Sequence, residues 1–307
     1  MKYLVSGYIG FDNFGDEAIA HVLSKKLKDE GAEKVTLISS NPAKTEQLHG
    51  VFSCGMLGFL PPLLDADVLI SGGGSLLQDA TSLKSLIYYL GVIYSALIFG
   101  KKVEIFAQGI GPINSKIGQF LTKFALKRAE KITVRDIKSQ ELLKSWKIES
   151  ELVKDPVFDL ELPQKNQKGT VGVQLRSFKG VDDRFLQKLA DVIVQNFSGK
   201  KIVVISLQDK LDLEVCERFA EKLRKKGVND LEVKSALTLT DATETISNLE
   251  YLIAMRFHAN VVGIKTGVKT LAINYDPKVE KLAEEYDLPL INLDDEDFSK
   301  QFERLSD

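Results

Sequence analysis

Positively charged side chains recur in this sequence where apolar, strand-like runs stop. Arg135 follows Ile132–Val134, Arg176 follows Val171–Leu175, and Arg256 and His258 follow Tyr251–Met255. Lys278 lies just past Thr270–Ile273, in Asn274-Tyr275-Asp276-Pro277-Lys278, where Asp276 reads as a helix cap and Pro277 as the first helical residue. Arg256, His258 and Lys278 thus fall at expected helix N-termini, where the macrodipole already places positive charge. Cations are unfavourable there unless an anion lies against them. Arginine grips a planar carboxylate with two parallel bonds, and helix N-termini receive phosphate. The pattern points to a bound anion toward which these cations are aimed. Plainer readings compete at two positions: Arg135 with Asp136 as a local ion pair, and Lys278 as a solvated lysine.

Glycine-rich turns follow other apolar runs. Gly7-Tyr-Ile-Gly10-Phe-Asp-Asn13-Phe-Gly15-Asp16-Glu17 follows the first. It matches neither the dinucleotide nor the ATP phosphate-loop pattern. Asn13 reads as a helix cap with Asp16 in the first turn, and Gly10 as part of a loop lining a site. In Asp67-Val-Leu-Ile-Ser-Gly72-Gly73-Gly74-Ser75-Leu-Leu-Gln-Asp79, three successive glycines suggest a backbone nest for an anion. Asp16 and Asp79 are the candidate proton acceptors for a hydroxyl. Gln108, in Ala107-Gln108-Gly109-Ile-Gly111-Pro112, is a further lining candidate, and Asp155-Pro156-Val-Phe158 reads either as the end of the first domain or as a plain turn.

These turns need a scaffold that delivers strand ends to one edge. Apolar runs occur at Tyr3–Ser6, Val35–Ile38, Val68–Ile70, Val103–Ala107 and Ile132–Val134. A second series occupies Val171–Leu175, Ile202–Ser206, Leu252–Met255 and Thr270–Ile273. Strands apolar on both faces belong to parallel sheets covered by helices. Amphipathic stretches lie between them: Asp16–Glu30 puts Ile19, Val22, Leu23 and Leu27 on one stripe, and Gly31 stops it. The fold class is α/β. The polar stretch Glu161–Gly169 separates the two series. We expect two Rossmann-like domains, 1–163 and 164–307, facing a cleft beyond the carboxyl ends of their strands.

Composition narrows the classes. Forty-one Lys and Arg against 43 Asp and Glu leave a net charge of −2, and no nucleic-acid motif appears, so no nucleic-acid partner is expected. Cys54 and Cys216 have neither metal nor disulfide spacing and read as small core residues. No cluster has metal-ligand spacing, and His21 and His49 read as ordinary surface or edge residues. Met1–Val5 enters an apolar run without the longer apolar region of a signal peptide, so a cytoplasmic location is expected. Ser85–Gly100 is uncharged but shorter than the ~20 residues of a membrane span. It reads as a buried helix; the other reading is a peripheral membrane contact through its tyrosines.

Taken together, Gly-Tyr-x-Gly-x-x-Asn-Phe-Gly-Asp-Glu-Ala, Ser-Gly-Gly-Gly-Ser-Leu-Leu-Gln-Asp, Ala-Gln-Gly-Ile-Gly-Pro, Thr-Val-Arg-Asp, Met-Arg-Phe-His-Ala and Tyr-Asp-Pro-Lys-Val resemble the polysaccharide pyruvyl transferases. They are most similar to the CsaB type, which modifies secondary cell-wall polymers. The motifs span Gly7 to Val279 in the family's order. The resemblance implies a GT-B-like two-domain fold, the N-terminal domain on the acceptor side and the C-terminal one on the donor side. It implies transfer of a pyruvyl group from phosphoenolpyruvate, a co-substrate, to a sugar such as N-acetylmannosamine on a lipid-linked precursor at the membrane's cytoplasmic face. No other cofactor or metal is expected. By this resemblance Arg135, Arg256 and Lys278 bind the donor and His258 acts on it; Arg176, which opens the second domain at a strand end, is a further donor-binding candidate. Arg176-Ser177-Phe178 departs from the Arg-Asn-Trp common in relatives, and Asp12 stands where many carry a small or uncharged residue. The rival readings are a nucleotide-sugar glycosyltransferase and a non-enzymatic membrane-associated module.

Overall fold

The computed structural model describes residues 1–80, 82–163 and 169–306. The chain divides into two units, Met1–Leu160 and Glu161–Asp307. Residues 164–168, part of the polar stretch in which the sequence places the boundary, lie outside the described residues.

In unit 1 the strands are β1 (Lys2–Ser6), β2 (Lys34–Ser39), β3 (Phe52–Gly55), β4 (Val68–Gly72), β5 (Lys102–Gln108), β6 (Lys131–Val134) and β7 (Glu151–Leu152). They form a parallel sheet in the order β3-β2-β1-β4-β5-β6-β7. The helices are α1 (Phe14–Asp29), α2 (Pro42–His49), α3 (Leu60–Asp65), α4 (Leu83–Ile98), α5 (Lys116–Leu126) and α6 (Ile137–Ser145).

Strand periodicity sends alternate residues to opposite faces. Val5, Leu37 and Ile70 pack with Ala20, Leu23 and Leu27 of α1. Leu4, Ile38 and Leu69 pack in the other layer with Leu63 of α3, Leu86 and Ile93 of α4, and Ala125 of α5. Both faces are therefore covered, and the free edge is the row of carboxyl strand ends.

Unit 2 repeats the plan with β8 (Thr170–Gln174), β9 (Lys201–Ile205), β10 (Leu231–Lys234), β11 (Tyr251–Ala254), β12 (Lys269–Asn274) and β13 (Leu290–Asn292). The parallel order is β10-β9-β8-β11-β12-β13. Its helices are α7 (Asp183–Asn196), α8 (Asp209–Lys225), α9 (Leu239–Ser247), α10 (Phe257–Thr266), α11 (Pro277–Glu285) and α12 (Ser299–Ser306). Phe185, Phe219, Phe298 and Phe302, from α7, α8 and the C-terminal segment, fill one core with Val173, Val204 and Ile253. Twelve of the thirteen strands in the two sheets lead into α-helices, so the turns that carry the sequence motifs emerge along the carboxyl edges.

Candidate functional site

In unit 2 the ends of β8, β11 and β12 are neighbours, because β11 pairs with both β8 and β12. Arg256 caps α10, and the helix then presents His258 in its first turn. Asp276 caps α11 through a 2.9 Å bond from the Lys278 amide to its Oδ1, with Pro277 at the first position, as its sequence suggests. His258 and Lys278 are half-buried beside these N-termini. At the end of β8, the Arg176 guanidinium carbon lies 5.1 Å from the centroid of the Tyr275 ring, and its Nη1 donates to the Tyr275 hydroxyl at 3.4 Å. Arg176 Nε is buried and has no hydrogen-bond partner among the described residues. Arg176, Arg256, His258 and Lys278 are thus all delivered to one sheet edge of one unit.

Arg256 is not the open cation that its sequence position suggests. Its Nε donates to Asp212 Oδ2 at 2.7 Å and its Nη2 to Asp212 Oδ1 at 2.6 Å. Nη2 also donates to Gln208 Oε1 at 3.0 Å, and the Arg256 amide donates to Gln174 Oε1 at 2.8 Å. The Asp212 side chain is fully buried and that of Arg256 is 10% exposed. A guanidinium so desolvated needs this carboxylate. Only Nη1 takes no part in the network, so Arg256 is held in a fixed rotamer with its charge largely neutralised. Asp212, on α8, also receives the amides of Leu207 and Gln208. Asp212, Gln208 and Gln174 were not legible as site residues. Asn260, one turn further along α10, pins the turn by donating to the carbonyls of Ala254 and Arg256.

Unit 1 builds a separate polar edge at the ends of β4, β5 and β6. Arg135 lies here, at the end of β6. Its Nη1 pairs with Asp155 Oδ2 at 2.6 Å, and Nη2 reaches Ser75 Oγ at 3.3 Å. Both members of the pair are buried, the side chains being 8% and 4% exposed. The neighbour Asp136, expected as its partner, instead caps α6 by accepting from the Ser139 amide and hydroxyl. Gln108 is fully buried at the end of β5; its Nε2 donates to Ser71 Oγ at 2.8 Å, and its Oε1 has no hydrogen-bond partner among the described residues.

The glycine turns are shaped mainly by packing. Gly73 has φ +65°, and a Cβ there would overlap Ile19 Cγ2 of α1. Its amide donates to the Phe106 carbonyl at 2.8 Å, so it does not serve the anion nest expected of Gly72–Gly74. A Cβ on Gly74 would lie 2.7 Å from Asp16 Oδ1, which sets Asp16, half-buried in the first turn of α1, directly beside that turn. Gly10 presses against Ser39 and Asn41, and its amide donates to Glu17 Oε1 at 2.7 Å. Asn13 caps α1 by accepting from the Gly15 amide at 3.1 Å.

Further expectations need correction. Asp79 is a loop anchor: its two oxygens accept the amides of Asn114 and Ser115 at 2.7 and 2.8 Å. Those bonds hold its pKa below the usual carboxylate value, which weakens it as a proton acceptor. His49 is no surface residue; it is buried, with Nε2 3.0 Å from Glu17 Oε2. It thereby ties α2 to the helix that follows the first glycine turn. Cys216 is buried with its thiol pushed up to about 12 by desolvation, whereas Cys54 is only half-buried. Among the described residues no group of His, Cys, Asp or Glu is arranged to hold a metal. No described helix is long and apolar enough to cross a membrane.

Solved structures resemble the whole chain. The S. aureus MnaA–UDP co-structure aligns with a TM-score of 0.68 at 10% identity, covering 100% of this chain and 88% of that one. The UDP-GlcNAc 2-epimerase of Methanocaldococcus jannaschii gives 0.64 at 11%, with 100% and 92% covered. Anabaena Alr3699/HepE in complex with UDP and glucose gives 0.61 at 11%, with 99% and 89% covered. At such identity the likeness shows the fold: two parallel-sheet α/β units of the GT-B-like class. No curated protein sequence matches the chain. The model of the polysaccharide pyruvyl transferase family matches residues 13–277, and the chain belongs to that family.

Proposed function

We propose that the protein transfers a pyruvyl group from phosphoenolpyruvate to two hydroxyls of a sugar, an N-acetylhexosamine such as N-acetylmannosamine, in a surface-polysaccharide precursor. The observation that carries this reading is the delivery of Arg176, Arg256, His258 and Lys278 to neighbouring strand ends of one unit, within a chain of this family. A donor with a carboxylate and a phosphate suits that set. Arg256 Nη1 and Arg176 are assigned to the carboxylate, and Lys278 with the α11 N-terminus to the phosphate. Asp212 already meets the charge of Arg256, so Arg256 is assigned to orient the donor carboxylate.

In the proposed reaction His258 gives a proton to the methylene carbon, and C2 becomes an oxocarbenium centre. One sugar hydroxyl adds to C2 and loses its proton. The C2–O bond to phosphate then breaks with its electron pair, releasing inorganic phosphate. The second hydroxyl closes the ketal and loses the second proton. Unit 1 is assigned to the acceptor, with Asp16 as proton acceptor and Gln108 Oε1 receiving a hydroxyl. Arg135, neutralised by Asp155, is reassigned from the donor to holding Ser75 and the Asp155 turn.

The neighbours' UDP complexes favour one rival, a nucleotide-sugar enzyme on the same fold. The test is incubation with phosphoenolpyruvate and a panel of N-acetylhexosamine acceptors, reading released phosphate and product mass. Equimolar phosphate and pyruvyl ketal are expected. Thermal stabilisation by UDP, together with no turnover of phosphoenolpyruvate on any acceptor, would replace this reading with the rival.

A further inference from the structure

The layer of unit 1 that packs against Leu4, Ile38 and Leu69 has an unusual outer face. On α5, Ile117, Phe120 and Phe124 recur at i, i+3 and i+7, one stripe of the helix, yet that stripe points outward. Ile117 is 72% exposed and Phe120 68%. Leu83, Ile87 and Ile98 form an outward stripe on α4, with Ile98 78% exposed. The two stripes adjoin: Tyr94 of α4 stacks on Phe124 at 6.0 Å, and its hydroxyl donates to the Leu121 carbonyl. Leu57 and Leu60, next to and in α3, continue the face, tied to α4 by the bond from the Tyr88 hydroxyl to the Met56 carbonyl. Patches of this extent on soluble proteins mark a docking surface.

Charge says what docks. From Ser82 to Arg128 the chain carries seven Lys and Arg and a single acidic residue, Glu104, which belongs to β5. On α5 and just beyond it, Lys116, Lys123 and Lys127 follow at i, i+7 and i+11, a row running beside the apolar stripe. Arg128 lies over the Phe124 ring at 3.4 Å from its centroid. The one carboxylate of α3, Asp65, is occupied by Lys2 and Lys34. A second copy of the chain is a poor occupant, because a two-fold contact would set this lysine row against itself. An apolar stripe flanked by lysines fits the interface of an anionic bilayer, with rings and aliphatic chains in the acyl boundary and ammonium groups at the headgroups.

We infer that the outer face of α3, α4 and α5 docks the protein peripherally on an anionic lipid membrane. The inference stands apart from the pyruvyl-transfer reading, since binding requires no substrate.

Flotation of the full chain tests it, with vesicles of phosphatidylcholine alone and of phosphatidylcholine and phosphatidylglycerol in equal parts. The protein is expected to float with the anionic vesicles, and raising salt should release it. Ile117→Ser/Phe120→Ser and, separately, Lys116→Glu/Lys123→Glu/Lys127→Glu are each expected to weaken anionic-vesicle binding roughly ten-fold or more. All these side chains are exposed or half-exposed, and unchanged melting temperatures establish that the variants fold. Absence of flotation with anionic vesicles overturns the proposal, as does undiminished binding by the folded Ile117→Ser/Phe120→Ser variant. A solution dimer that this variant dissociates assigns the face to a second copy and likewise overturns it. None of these results touches phosphoenolpyruvate turnover on a soluble acceptor, so failure here and failure of the functional reading are separable.

Discussion

Replacing Asp212 with alanine removes the carboxylate that accepts both Arg256 Nε and Nη2, at 2.7 and 2.6 Å. The guanidinium is left 90% covered, with Gln208 Oε1 as its remaining side-chain acceptor in that network. Breaking one side of a buried pair costs about 3–5 kcal/mol, because the surviving charge stays desolvated. The amides of Leu207 and Gln208 lose an acceptor too, which argues for the upper part of that range. For a domain of this size, about 2–4 °C per kcal/mol implies a melting temperature lower by roughly 6–20 °C. Circular dichroism during heating, with urea titration at one temperature, reads the change. The double variant Asp212→Ala/Arg256→Met should recover most of the loss, since removing both charges leaves nothing buried and unpaired. A shift under about 1 kcal/mol for Asp212→Ala, or additive losses in the double variant, would refute the claim that this pair fixes the arginine.

Three other expectations follow from local geometry. Gly73→Ala should cost at least about 2 kcal/mol by urea titration, from a left-handed backbone and overlap with Ile19; Gly31→Ala, with φ +82° but open space around it, should cost only the backbone part. Asp79→Asn should lower the melting temperature near neutral pH. The folded pKa of Asp79 is depressed by the Asn114 and Ser115 amides, so its stabilisation is present above the unfolded value of about 3.9 and lost as pH falls below that; a wild-type–mutant difference that persists unchanged under acid would show that the charge is not involved. Gln108→Leu should retain the fold yet raise KM for the sugar more than for phosphoenolpyruvate, because it deletes the Oε1 acceptor; a selective rise for phosphoenolpyruvate would move Gln108 to the donor.

The sequence exposes the interior of both sheets and hides their rims. All nine apolar runs correspond to interior strands, whose residues are covered on both faces. The four strands without such a run, β3, β7, β10 and β13, are the four sheet edges. Phe52–Gly55 and Leu231–Lys234 are half-exposed and Glu151–Leu152 is exposed, so they lack the apolar pressure that marks a buried strand. Caps are legible because they are local: Asn13 and Asp276 bond amides two residues away. The partners of the site cations are distant in sequence. Asp212 and Arg256 are 44 positions apart, Arg135 and Asp155 are 20, and Glu17 and His49 are 32. Residue type marked the arginines as unusual, but only the sheet order shows which carboxylate neutralises each one. The uncharged run Ser85–Gly100, most of which forms α4, illustrates the same limit, since composition alone does not say which of its apolar residues the neighbouring helix leaves uncovered.

The most direct test of the account follows the donor's own carbon. Phosphoenolpyruvate labelled with carbon-13 at C2 is incubated with the protein and an N-acetylhexosamine acceptor, and the label is tracked by NMR alongside phosphate release, in wild type and in folded His258→Ala. The account predicts that the label appears as a ketal carbon on the sugar, one per phosphate released, and that His258→Ala loses most of this turnover. Label that stays in phosphoenolpyruvate with every acceptor, or wild-type transfer by His258→Ala, would contradict it.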